Sequence, residues 1–232
     1  MADYVVFTLI APMGSFGGLA GHERRGSLSW PGRSALLGLM GAALGVRRED
    51  RAGQGALGRW QTAVSVLSAG YPLQDFHTVE TVPSANIKRP ATRRDALAAL
   101  RPSDNPVITR RDYRTDCAFG VAVWGGDAPE GLAAALNAPV FTPYMGRKSC
   151  PLSAPMAAKV VAAEGAEQAL VQVTLPPFLP ALTPLRVILD APLEGAVEEM
   201  FWDEPLDREV WHFGQRRAFV RGAGGFGGEG TA

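Results

Sequence analysis

Tyr4-Val-Val-Phe-Thr-Leu-Ile10, halted by Ala11-Pro-Met-Gly14, decides how the rest of the chain is read. β-Branched and aromatic residues dominate it and both alternating sets are apolar, so it predicts a central strand buried on both faces. The next twenty residues read as loop: Gly14, Gly17, Gly18, Gly21 and Gly26 punctuate them, with His22, Glu23, Arg24 and Arg25 between. Pro31-Gly-Arg-Ser34 then opens a helix to about Leu44, with Gly45 past its end. Gly38, Gly41, Ala42 and Ala43 give that helix a small-residue face suited to close packing on a sheet. A second strand follows over 60–68, where Gln61-Thr-Ala-Val-Ser-Val-Leu-Ser68 alternates in part.

From 75 to 114 the pattern loosens. Prolines 83, 90, 102 and 106 and a basic cluster suggest an excursion from the core, a long hairpin or arm. Long structureless loops are uncommon in compact domains unless they work. Residues 116–124, Asp-Cys-Ala-Phe-Gly-Val-Ala-Val-Trp, form a clear strand, and 128–137 a short helix ending before Pro139. Pro151 begins a connection to a second region, in which 169–175 and 185–189 read as strands and 210–220 as a strand pair or one long strand. The order strand, helix, strand, excursion, strand, helix predicts an α+β fold with a ferredoxin-like (RRM-like) core. That fold often serves RNA binding through its sheet or its loops, although fold alone decides no activity. The expected organisation is a ferredoxin-like domain of that RNA-binding type over 1–150 carrying a basic insertion at 83–114, a small β-rich region over 151–221, and a glycine-rich tail over 222–232.

Hydrophobic residues make up 47% of the 232 and charged residues 20%, enough to bury a sizeable core without staples. Cys117 and Cys150 have no partner spacing for zinc or a redox pair, so reduced thiols, no metal and no cofactor are expected. The acid in Met1-Ala-Asp3 does not fit a signal peptide, and the apolar stretch 34–46 is too short and glycine-broken to span a bilayer. A cytoplasmic protein with no membrane role is expected. Net charge is zero but unevenly spread: residues 1–150 hold 17 Lys/Arg against 12 Asp/Glu, and residues 151–232 hold 6 against 11. A basic first part suits phosphates and an acidic second part suits solvent or a basic neighbour, unless both are solvated faces.

Three segments together resemble the type I-E CasD family, the fifth Cas family of CRISPR-associated proteins. They are Leu9-Ile-Ala-Pro-Met-Gly-Ser-Phe-Gly17 with Trp30-Pro-Gly-Arg-Ser-Ala-Leu-Leu-Gly-Leu-Met-Gly-Ala-Ala-Leu-Gly45; Asp75-Phe-His-Thr78; and Tyr113-Arg-Thr-Asp-Cys-Ala-Phe-Gly-Val-Ala-Val123 with Pro143-Tyr-Met-Gly-Arg-Lys-Ser-Cys-Pro151. The match covers about 4–155, and the tail is no part of it. The resemblance implies a non-catalytic Cascade subunit that grips the 5′ handle of the crRNA. It further implies capping of the backbone beside the large subunit, a thumb inserted at the adjacent backbone subunit, and target DNA met only through the complex. Type I-C relatives are themselves metal-independent endoribonucleases, which makes repeat-RNA cleavage the alternative; a single-strand RNA-binding module outside CRISPR is the third reading.

Candidate RNA contacts follow from residue chemistry taken together with the resemblance; on chemistry alone a solvated basic turn at 147–149 and plain surface charges at the arginines stay open. The loop containing Ser15 and the helix start at Arg33 and Ser34 offer free N–H groups and the positive end of a helix dipole, although Ser34 could simply cap the helix. Arg147, Lys148 and Ser149 share a glycine-turned loop; Phe141 stands where a P-loop needs its first glycine, so nucleotide hydrolysis is rejected. Arg24, Arg25, Arg110, Arg111 and Arg114 suit phosphates or splayed bases, with Phe16 and Tyr113 as stacking partners. His77 suits an RNA hydrogen bond or a structural one. For the nuclease alternative, His22, Tyr113 and Lys148 are the groups that would have to meet.

Overall fold

A computed structural model describes residues 1–21 and 23–222. His22 and the tail beyond Gly222 lie outside them. The elements run β1 (Ala2–Gly14), β2 (Phe16–Ala20), β3 (Arg24–Leu28), α1 (Arg33–Leu44), α2 (Arg51–Gly58), β4 (Gln61–Val79) and α3 (Arg93–Ala98). They continue β5 (Val107–Trp124), α4 (Pro129–Asn137), β6 (Lys159–Ala163), α5 (Ala166–Val171), β7 (Arg186–Leu189), β8 (Val197–Asp207) and β9 (His212–Gly222). The fold is mixed α/β and dominated by its sheet.

β1 is buried from Tyr4 to Ala11, as its two apolar faces require. Val5, Phe7, Leu9 and Ala11 enter the main core with Leu36, Leu37 and Met40 of α1 and Leu132 and Leu136 of α4. Tyr4 and Val6 point the other way, onto Ala166, Ala169 and Leu170 of α5. Phe7 and Phe119 are fully buried in the main core, each stabilising the fold by about 1.5–3 kcal/mol through removal from water. Antiparallel ladders place β1 between β5 and β6. β5 pairs along its whole length with β4. Among the described residues nine strands join in one sheet, because β4 also takes β7, and β9 and β8 follow. Residues 186–222 therefore extend the sheet that β1 begins.

Past Gly70 the β4–β5 pair runs on from the body of the sheet, Tyr71 opposite Thr115 through to Val79 opposite Val107, flanked along β5 by the end of β1 at Thr115 and Arg114 and by β3 at Arg110 and Arg111. Gly70 has φ +64° and a Cβ there would stand 1.7 Å from the Thr115 carbonyl oxygen, so only glycine admits this bend. The tip, 80–106, carries α3, capped by Thr92, whose hydroxyl accepts the Asp95 N–H at 3.1 Å.

Four local readings are corrected. The glycine-rich loop after β1 is a hairpin, β2–β3, whose second strand joins β5 in parallel through only two residue pairs. Residues 169–175, read as a strand, form no strand: 169–171 end helix α5 and the rest follow it as turn and loop; Ala166, Ala169 and Leu170 recur at helical spacing and the run is too short for periodicity to decide. Residues 210–220, read as a strand pair or one long strand, hold only the second strand of a hairpin, β9; its partner β8 lies earlier, where pairing outweighs the poor strand propensity of an acidic stretch. The small-residue face of α1 admits α2 and a side chain: Gly41 abuts Leu57, and Gly38 abuts the guanidinium of Arg208.

Candidate nucleic-acid interface

The sheet curls around α1 until β2 and β8 approach within 8 Å, Cα to Cα. Between them lies a cleft of about 1160 Å³, floored by α1 and bounded by residues 141–151. Arg47, Arg48, Lys148 and Arg208 line it as cations, with Phe141, Tyr144, Trp202 and Trp211 as aromatics. All four aromatics are exposed, Trp202 by 69% and Trp211 by 52%, although core packing would gain by hiding them.

The loop carrying Lys148 is pinned at several points. The Met145 N–H donates to the Cys150 carbonyl at 2.8 Å, the Cys150 N–H to the Arg147 carbonyl at 2.9 Å, and the Ser15 N–H to the Met145 carbonyl at 3.0 Å. Gly146 has φ +82°, and a Cβ on it would lie 1.7 Å from the Ser15 carbonyl oxygen. Lys148 and Ser149 are left exposed, whereas Arg147 folds its guanidinium over the Tyr113 ring at 4.6 Å. Nη1 of Arg147 and Nε of Arg111 are buried without an acceptor among the described residues.

On the opposite wall, Arg208 runs along α1 and donates to the Ser34 carbonyl at 2.7 Å. Burial, and the nearby Arg48, lower its pKa. Arg48 stacks on Trp211 at 4.2 Å. Behind that wall is an ion network. Arg33 donates to Glu204 (2.7 Å), to Asp190 (2.9 Å) and to the carbonyls of Trp60 (2.5 Å) and Gly58 (2.8 Å). Arg216 bridges Asp190 (2.6 Å) and Asp203 (2.6 and 3.0 Å), and Thr62 donates its N–H and hydroxyl to Asp190. Asp203 Oδ2 accepts the Arg33 N–H at 2.7 Å.

With this geometry established, likeness to known proteins becomes informative. The family described as CRISPR-associated protein (Cas_Cas5) matches residues 4–219. The chain belongs to the Cas5 family. It is 33% identical over 171 residues to the CRISPR system Cascade subunit CasD of Escherichia coli strain K12, covering 67% of this chain and 70% of that one. A chain of a solved CRISPR RNA-guided surveillance complex superposes with TM-score 0.67 at 25% identity, covering 94% of this chain and 88% of the other. A solved Cas protein shares the fold with TM-score 0.62 at 22% identity, over 95% and 94% of the two chains.

Within this Cas5 fold the residues singled out from the sequence separate. Ser15, Phe16, Ser34 and Lys148 meet at the cleft. Arg33 is corrected: it is 7% exposed and engaged in the network, and the helix start it opens is already met by Asp203. Ser34 neither caps α1, whose N-cap is Gly32, nor presents a free helix end. Phe16 and Tyr113 are corrected as stacking partners: Phe16 is buried edge-on against Phe119 at 5.3 Å and Tyr113 lies under Arg147. Ser15 is buried with its hydroxyl on the Asp112 carbonyl at 3.0 Å. Arg24 faces Arg110 and Arg25 faces Arg111 across the β3–β5 pair, away from the cleft lining. Arg114 donates to the carbonyls of Ala69 and Gly70, and His77 pairs with Asp75 at 2.7 Å. His22 lies outside the described residues, among which no group of three His, Cys, Asp or Glu is placed to hold a metal. No helix among them is long and apolar enough to cross a membrane. The cleft residues Arg47, Arg48, Phe141, Tyr144, Trp202, Arg208 and Trp211 were not found from sequence; tryptophans in a charged, proline-bearing stretch were the available signal.

Proposed function

We propose that this Cas5 chain is a Cascade subunit that holds the 5′ handle of the crRNA and binds it without cutting. The observation that carries this reading is the cleft, where four cations and four exposed aromatics line one concave surface, as single-strand binding through phosphates and stacked bases demands. Lys148, Ser149, Arg48 and Arg208 would meet phosphates; Tyr144, Trp202 and Trp211 would stack on bases. The order β6–β1–β5–β4, with α1 and α4 on one face, supports the ferredoxin-like core. The ribbon beyond Gly70 with its 80–106 tip serves as the thumb toward the adjacent backbone subunit, and the chain caps that backbone next to the large subunit, in antiviral defence. Of the groups a cutting role would need, Tyr113 is buried under Arg147 and His22 lies outside the described residues, so the cutting role draws no support from them.

The test is the affinity of the full chain for RNA of its own CRISPR repeat across a salt series. Lys148→Ala or Arg48→Ala should flatten the slope by roughly 0.7, one phosphate each on a single strand. Trp211→Ala should weaken binding by about 1–3 kcal/mol, the loss of one stacked base. The RNA should stay intact with or without EDTA. Unchanged slopes with all cleft variants, or cleavage at the handle boundary, would refute the assignment.

A further inference from the structure

Glu49 and Gln54 also line the cleft, and neither is a cation or an aromatic. Glu49 stands on the turn joining α1 to α2, and Gln54 on α2 itself. Hydrogen bonds within the turn fix it. The Val46 N–H donates to the Gly41 carbonyl at 2.8 Å, the Asp50 N–H to the Arg47 carbonyl at 3.3 Å and the Gln54 N–H to the Asp50 carbonyl at 2.9 Å. Asp50 then caps α2, its carboxylate accepting the Gly53 N–H at 2.9 Å.

Both side chains present acceptors. The Gln54 amide nitrogen donates to the Arg47 carbonyl at 3.0 Å. A carbonyl can only accept, so the amide's orientation is decided and its Oε1 is left over. The Glu49 carboxylate is exposed and, among the described residues, has no hydrogen bond or ion pair. Neighbouring arginines are engaged elsewhere: Arg48 stacks on Trp211 at 4.2 Å and Arg51 pairs with Glu209 at 3.6 Å. A bare carboxylate in a cleft otherwise suited to phosphates repels them. Only N–H donors offset that repulsion, and on an unstacked base those lie along its edge. Guanine alone offers two adjacent donors on its Watson–Crick edge, N1–H and the 2-amino group, which a carboxylate accepts as a bidentate pair. Adenine and cytosine offer one amino group beside an acceptor. Uracil offers one N–H between two carbonyl oxygens.

We propose that Glu49 and Gln54 make the cleft selective for guanine at one position. Glu49 accepts N1–H and one amino hydrogen of a base stacked among the cleft aromatics, and Gln54 Oε1 accepts the other amino hydrogen. The proposal rests on the reading of the cleft as a single-strand RNA site and adds the base that the site discriminates.

The experiment titrates the full chain with oligouridine of about eight nucleotides, within single-strand site sizes. Four further strands each carry one internal guanosine, inosine, adenosine or cytidine. The guanosine strand should bind about tenfold tighter than the adenosine, cytidine and all-uridine strands, within the roughly 5- to 150-fold of one base-reading contact. Inosine, which keeps N1–H but lacks the 2-amino group, should fall between guanosine and uridine. Glu49→Gln should erase the guanosine preference and tighten the all-uridine strand, because it removes a negative charge from beside the phosphates. Gln54→Leu should lower the preference. Circular dichroism and thermal melting verify that these variants fold, and the inosine strand tests the reading with no substitution at all. A preference for another base, equal binding of guanosine and inosine, or a guanosine preference that survives Glu49→Gln overturns the proposal. Equal binding of all the strands, each weakened by Lys148→Ala, overturns it and spares the cleft. Binding that no cleft variant weakens overturns both.

Discussion

Asp203 meets the start of α1 from within the chain: its carboxylate takes the Arg33 N–H at 2.7 Å and the Arg216 guanidinium at 2.6 and 3.0 Å. The helix end that invites a phosphate by sequence is thereby satisfied by β8. Removing Asp203 leaves the buried Arg33 N–H without its acceptor and strips the Arg216 guanidinium of two of its hydrogen bonds, with Asp190 its remaining carboxylate, in a poorly hydrated place. Asp203→Ala should cost about 3–5 kcal/mol, the penalty for breaking a buried pair from one side. In a chain of this size that lowers the melting temperature by roughly 6–20 °C. Exposed Glu198, which pairs loosely with Arg217 at 3.8 Å, should tolerate alanine with a change of less than about 1 kcal/mol, as surface pairs do. Equal effects of the two substitutions in thermal melts would contradict the network.

The loop carrying Lys148 rests on Gly146. Gly146→Ala sets a Cβ against the Ser15 carbonyl and demands a positive φ of a residue that resists it, about 1–3 kcal/mol of strain before any clash is relieved. The loop must shift away from Ser15, taking Lys148 with it. Repeat-RNA affinity should fall at least as much as in Lys148→Ala while far-UV circular dichroism stays the same. A variant binding as wild type would show that loop position is immaterial to the site.

Burial pushes the Cys117 thiol up to about 11 and raises that of Cys150 as well. Both are buried, at 1% and 0% exposure. Near pH 8 a thiol-disulfide reagent should find no reactive thiol in the native chain and both after denaturation. The sign of the linkage follows. Above the ordinary thiol value of about 8.5 the unfolded Cys117 loses its proton while the folded one keeps it. Stability falls as pH rises from there toward about 11. Chemical denaturation at pH 7.5 and pH 10 measures the difference, and Cys117→Ser should shrink it.

The ribbon tip exposes Lys88, Arg89, Arg93, Arg94 and Arg101, while Ala96 is buried beneath it. Trypsin should cut the free chain first within 80–106, because little apolar surface holds this segment closed. Bound partners should slow the cut. A first cut at Arg47 or Arg48 instead would move the weakest point to the α1–α2 connection.

Legibility divided along physical lines. β1, α1, α4 and the 185–189 strand were readable because burial writes itself as apolar runs and helix periods. The β2–β3 hairpin was not, since its ladder to β5 is two pairs long and its residues are glycine, arginine and serine. β8 hid behind its acids: Asp203 and Glu204 look solvated in sequence, and only the fold reveals Arg33 and Arg216 waiting for them. Among site residues, Lys148 could be found because a glycine-turned basic loop is a local signal. Arg48 and Trp211 are 163 positions apart in sequence, so no local pattern joins them. Tyr113 misled because an aromatic in a basic stretch reads as a stacking platform until another side chain is seen covering it.

The convergence of β2 and β8 over α1 bears on self-association. The outermost strands of an open sheet expose unused N–H and C=O groups, and such rims recruit neighbouring copies. Here two rims are brought together above one helix, and the contact between β8 and the start of α1 keeps them there. Releasing that contact would free both at once on a chain still largely folded. Variants of Asp203 or Arg216 should therefore fail as concentration-dependent aggregates before they fail as unfolded monomers, and RNA seated between the two rims should keep them dispersed.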